Sequence, residues 1–202
     1  MKKTLLIIAA LFSALFILNN ALPYFDFNSQ SYLTEDIYPF RNALIVHIVF
    51  GIAALVAGNF QLFFNWQKNK KTRHKRVGLL YIVSILISVI SSIYLSVFHA
   101  ILHKSYITFG VGLLGLALAW IITTLMAYVS ILKRHIAQHQ EWMIRSYVVT
   151  LGFVFFRVVF GFLEQVVHLP HIDAGNIAAW SCWSVPLLIC EVVLQRNKNR
   201  TL

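Results

Sequence analysis

Apolar residues run through this chain in long unbroken stretches rather than at alternating positions. Six stretches reach the roughly 20 residues that a helix needs to cross about 30 Å of hydrocarbon. They cover approximately residues 4–22, 42–66, 78–101, 107–132, 143–168 and 177–195, each flanked by charge, Pro or Asn. A membrane β-barrel would show segments of about ten residues with alternating polarity, so the pattern predicts helices. The predicted fold is all-α: one integral membrane domain over residues 1–202, built as a bundle of six transmembrane helices.

Charge gives the bundle an orientation. Lys2, Lys3, Lys68, Lys70, Lys71, Arg73, Lys75, Arg76, Lys133, Arg134, Arg145, Arg196, Lys198 and Arg200 fall on one side if every run crosses once. The acids Asp26, Glu35, Asp36 and Asp173 fall in the alternate loops. Loop cations resist translocation, which makes the basic side cytoplasmic and puts both termini there. The first run also has the form of a signal peptide, with Lys2-Lys3 before an apolar core and Ala21 as a cleavage position. Asn19 stands where cleavage wants a small residue, and the core is long, so a retained anchoring helix is the expectation.

Composition agrees with a membrane solvent. The chain is 59% hydrophobic and 12% charged, whereas soluble domains are roughly 45–50% apolar and about 25% charged. The excess of 17 Lys+Arg over 7 Asp+Glu would suggest nucleic acid in a soluble protein, but its confinement to one set of loops assigns it to topology. No nucleic-acid partner is expected; the lipid bilayer is. Cys182 and Cys190 lie eight residues apart in the last run, about 12 Å along a helix and too far for a disulfide. No CxxC, CxxCH, P-loop, GxGxxG or HExxH occurs, so dithiol chemistry, covalent haem, nucleotide cradles and zinc proteolysis lack support.

Histidines and arginines carry the candidate chemistry. His47 and His74 each precede a glycine by four residues, Gly51 and Gly78. That spacing puts both on one helix face, where the missing side chain admits a neighbouring helix or a flat ligand. The first copy continues through Leu55, Gly58 and Gln61. A third block reads His139-x-x-Trp142-Met143-x-Arg145-Ser146-Tyr147, followed by Arg157.

Together these blocks resemble the bacterial membrane family called domain of unknown function 2306, over about residues 41–160. The His-x-x-Trp-Met-x-Arg-Ser-Tyr run is the most specific part, and Lys75 stands where that family usually carries Arg. The resemblance implies a helical bundle in a bacterial inner membrane and brings no activity with it. A fainter likeness is to transmembrane diheme b-type cytochromes, which ligate haem through histidines on facing helices. The fourth run carries no histidine, so a full two-haem set is not visible.

One haem b remains a candidate cofactor. His74 and His139, opening the third and fifth helices on one side, are the candidate metal ligands, with Lys75, Arg76 or Arg145 meeting propionates. Their alternative is a set of interfacial polar residues and lipid-phosphate anchors beside an aromatic belt. His47 falls in the outer leaflet, where a polar side chain needs a partner; His99 and Glu164 are the candidates, and a His–carboxylate pair there would suit a proton relay, a metal site or an outer haem, against the alternative of a bond to a neighbouring helix carbonyl. Arg157 sits mid-run between Phe156 and Val158, so it is expected to face the interior and bind an acceptor such as a propionate, a quinone oxygen or a carboxylate.

His99/His103, His135/His139 and His168/His171 are spaced to start metal sites but lack a third ligand. The loop after Leu22, with Asp26, Glu35 and Asp36, is a candidate outward lid or partner surface. The specific functional expectation is a b-type haem- or quinone-binding electron-transfer protein with a redox partner. Its competitor is a non-enzymatic membrane protein, either a small proton-coupled transporter or an assembly partner.

Overall fold

The computed structural model describes residues 2–26, 35–63, 71–102 and 106–199, with the side chains of 2–10, 35, 36, 62, 63, 71 and 197–199 left aside. It is helical throughout, with no strand among the described residues. The helices are α1 (Lys2–Asn20), α2 (Arg41–Phe63), α3 (Lys71–Tyr94), α4 (Ile107–Leu132), α5 (Ile136–Thr150), α6 (Gly152–Gln165) and α7 (His171–Asn199). Short 3₁₀ turns cover Leu22–Asp26 and Glu35–Phe40, and a π-helical turn, Leu95–Ile101, extends α3.

Five helical stretches are long and apolar enough to cross a membrane: Ile37–Gln61, Thr72–Ile101, Ile107–Leu132, Ile136–Gln165 and His171–Arg196. The first predicted run corresponds to α1, whose described apolar part is the shorter Leu11–Asn20. Three helices start earlier than their apolar runs: α3 at 71 rather than 78, α5 at 136 rather than 143, and α7 at 171 rather than 177. Hydropathy marks only the lipid-facing length. A helix of Lys, Arg, Gln and His continues into the interface at little propensity cost. Pro186 lies within α7 without ending it.

The chain divides into two compact units, residues 1–95 and 96–202. In the first, α2 and α3 form an antiparallel hairpin. His47 reaches Ser88, and Gln61 reaches the His74 carbonyl, so equal steps along the two helices keep one register. That register sets Gly51 opposite Ser84 and Ala54 opposite Tyr81. Small residues on α2 are what let the backbones approach, and Ala54, Tyr81, Ser84 and Ser88 are fully buried. Asn59 of α2 donates to Ser13 Oγ of α1 at 3.2 Å. The outward faces carry Val46, Val49 and Phe60 on α2 and Leu79, Leu80 and Ile90 on α3, all exposed as a lipid-facing surface requires.

In the second unit α4 is the central element. Gly112 packs against Ala179 and Trp180 of α7, and Gly110 packs against Ala100 and Ile101 of the π turn. Hydroxyls join α4 to α5: Trp120 Nε1 donates to Thr150 Oγ1 at 2.9 Å, and Thr124 and Ser146 hydroxyls meet at 2.7 Å. The predicted 143–168 run is two helices. Thr150 Oγ1 donates back to the Ser146 carbonyl, and Val154 N and Phe155 N both converge on the Leu151 carbonyl. Leu151 is the αR junction between the two helices and keeps its bonds to Tyr147 O and from Phe155 N, while the added 3₁₀-type bond from Val154 N marks the change of helix before Gly152. Phe156, Phe160, Ala174 and Ala178 close the packing of α6 on α7.

Candidate functional site

Arg145 is the most elaborately held charge in the second unit. It lies about nine residues into α5, and its side chain is only 10% exposed. Nε and Nη2 reach Glu191 Oε2 of α7 at 2.8 and 2.7 Å, and Nη1 faces Glu141 at 3.6 Å. Glu191 Oε1 in turn accepts from Gln195 at 2.7 Å. The guanidinium lies over the Trp142 ring, 4.7 Å from its centroid. Cation–π contact and a carboxylate together offset the desolvation of a charge at this depth.

A shallow, open pocket lies beside this pair. Trp142 and Arg145 of α5, Thr123 of α4, and Trp183, Leu187 and Glu191 of α7 contribute to its wall. Thr123 Oγ1 and the nearby Ser184 Oγ spend their protons on carbonyls of their own helices, at 2.7 and 2.6 Å. The Trp183 N–H does the same with Ala179 O at 3.1 Å. What remains for a ligand is a pair of indole walls, aliphatic lining and one cation already matched by acids. A neutral flat ring suits that chemistry. An incoming propionate or other anion must first displace Glu191.

The sequence-predicted residues separate between the two units. His74 is the fourth residue of α3, half-buried, and its carbonyl accepts from Gln61 Nε2 at 2.8 Å. Gly78 makes room for that amide: a Cβ there would stand 3.1 Å from Gln61 Nε2. At this copy, the glycine after the histidine admits a neighbouring side chain rather than a flat ligand. Lys75 and Arg76 are exposed.

His139 is the fourth residue of α5, with Nδ1 2.8 Å from the Ala127 carbonyl. A carbonyl can only accept, so Nδ1 carries the proton and Nε2 holds the lone pair, the arrangement found in metal-ligating imidazoles. His135, expected beside it, is exposed at the head of α5.

His47 Nδ1 lies 3.0 Å from both the carbonyl and the hydroxyl of Ser88, and Ser88 Oγ donates back to the His47 carbonyl at 3.0 Å. Ser88 is a partner that sequence reasoning did not name. Arg157 stands half-buried in the middle of α6. Glu164, expected to serve Arg157 or His47, pairs with His171 Nδ1 at 2.7 Å. His99 is buried in the π turn and stacks on Tyr106, with centroids 6.1 Å apart. His103 and the 27–34 part of the expected lid lie outside the described residues. Among the described residues no group of three or more His, Cys, Asp or Glu is placed to hold a metal ion.

Glu191, Trp183 and Thr123 were missed by sequence reasoning. The signal for Glu191 was available: it is the single acid inside the last apolar run, and an acid at membrane depth calls for a cationic partner.

Lipid-facing helices enclosing buried polar pairs define the class, a multi-pass α-helical membrane protein. More particularly, the chain belongs to the family described as predicted membrane protein (DUF2306), whose model matches residues 44–194. No curated protein and no solved structure gives a match.

Proposed function

We propose that this protein is a quinone-binding redox protein of the bacterial inner membrane, with the ring seated between Trp142 and Trp183. The observation that carries the reading is an indole-walled, largely apolar pocket beside an arginine whose charge Glu191 and Glu141 already match. Mostly apolar walls with few polar groups are the usual makeup of a site for a small cyclic ligand. Such a ligand enters from the bilayer.

The proposed topology has six crossings, α1 included, with both termini cytoplasmic. The basic stretches support it. Thr123, Arg145 and Glu191 each lie about eight or nine residues, roughly 13 Å, from the helix ends that this topology makes cytoplasmic, which puts them at one level near the cytoplasmic end of the apolar runs.

Titrating ubiquinone-1 or menadione into the detergent-purified protein while following tryptophan fluorescence tests the ring site. Quenching should saturate in the parent chain and weaken in Trp142→Phe and Trp183→Phe. Identical titration curves for all three would exclude this pocket.

A second reading, haem b, rests on His139, whose Nδ1–H···O=C bond fixes the ring with Nε2 as the available ligand nitrogen. A reduced-minus-oxidised visible spectrum of protein from haem-competent cells tests it. Soret and α bands lost in His139→Ala but kept in His135→Ala support ligation by His139. A featureless spectrum rejects it.

A further inference from the structure

The Trp183 wall of the pocket is held in place by an absent side chain on α4. A Cβ built on Gly115 would stand 2.9 Å from Trp183 Cζ2, closer than such carbons approach in folded proteins. The indole therefore occupies space that any other residue at 115 would claim. On its other flank, a Cβ at Gly152 would lie 3.8 Å from Trp183 Cβ and 3.2 Å from Leu116 Cδ1. The start of α6 closes that side. Trp183 N–H is bound within its own helix, and Trp180 sits 6.3 Å away at a tilt of 34°. Trp183 also lines the pocket, so a ring pushed off Gly115 changes the pocket wall.

We infer that Gly115 sets the width of the ligand pocket, acting as a positioning residue that keeps Trp183 back against α4 and fixes how thick a ring can enter. The ligand class rests on the quinone reading above, whereas the placement of the wall does not. Trp183 and Trp142 both line the pocket, so the seat of the Trp183 ring sets how much room a planar ligand has beside them.

Accessibility of the pocket tests this without requiring a ligand. In a Cys190→Ser background Cys182 is buried, and Leu187→Cys places a reporter thiol on the pocket wall. N-ethylmaleimide should label this thiol in the parent protein. Adding Gly115→Ala should slow labelling by about tenfold, because the ring crowds the pocket in the way overpacked sites do. Combining Gly115→Ala with Trp183→Phe should restore the rate, since a single ring lacks the clashing edge. Unchanged labelling in Gly115→Ala overturns the inference, and so does failure of Trp183→Phe to restore it.

Ubiquinone-1 is the separate arm. Protection of the parent thiol that is lost in Gly115→Ala supports both proposals. Labelling that responds to Gly115 as expected but shows no quinone protection overturns the quinone reading and leaves the wall assignment standing.

Discussion

Arg145 and Glu191 carry unequal consequences if altered. Glu191→Gln leaves a nearly buried guanidinium without its close carboxylate and should cost about 1–3 kcal/mol, read as a lowered thermal midpoint in detergent. Glu141→Gln should cost clearly less, because its oxygen stands at 3.6 Å, beyond hydrogen-bond reach. Equal losses in the two variants would contradict the division of roles drawn here. In the first unit, Gly78→Ala intrudes on Gln61 Nε2 and should weaken its bond to the His74 carbonyl, a loss of about 0.5–1.5 kcal/mol. Gln61→Ala should largely absorb that effect, and a double-mutant cycle on thermal stability measures the coupling. The sequence reading had both Gly78 and Gln61 in view but not together. A four-residue spacing reports which positions share a face, whereas what fills the gap depends on the register of another helix.

The α4–α5 pairing depends on hydroxyls that hydropathy scores as near neutral. Thr150 Oγ1 accepts the Trp120 N–H and donates to the Ser146 carbonyl, so Thr150→Val strands an indole donor in an apolar interior. It should cost about 1–3 kcal/mol, and Trp120→Phe in the same chain should recover part of that. Five of the six apolar runs were legible as helices with a membrane-crossing length, with ends off by up to seven residues, and the remaining run maps onto α1. Hydropathy left no mark of the early starts of α3, α5 and α7; those of α3 and α5 were legible only through His74 and His139 placed at the helix openings, and that of α7 was not legible. The junction at Leu151 was hidden too, since Thr150 and Gly152 are ordinary residues within an apolar run. Of the site, Arg145 and His139 stood out through the His-x-x-Trp-Met-x-Arg block. Trp183 and Thr123 were not singled out, and only the fold brings three helices around one pocket.

For the whole molecule, topology is the property most open to a direct check. Fluorescent-protein fusions at the C-terminus should glow in cells, and alkaline phosphatase inserted in the turn after His168 should be active. The opposite pair of results would invert the proposed orientation, and removing residues 2–21 should leave the sidedness of α2 to α7 unchanged, since the later basic stretches determine it. The Arg145–Glu191 pair also has a consequence for how the chain is made. Its members are 46 residues apart, on α5 and on the last helix. During synthesis α5 reaches the bilayer before α7 exists, carrying a cation whose insertion costs about 2.5–3.5 kcal/mol at helix centre and less nearer the interface. Until the final helix arrives, only Glu141 of the same helix, at 3.6 Å, faces that cation, and its close carboxylate is still missing. The last helix thus brings the shorter of the two contacts that hold this charge in the interior.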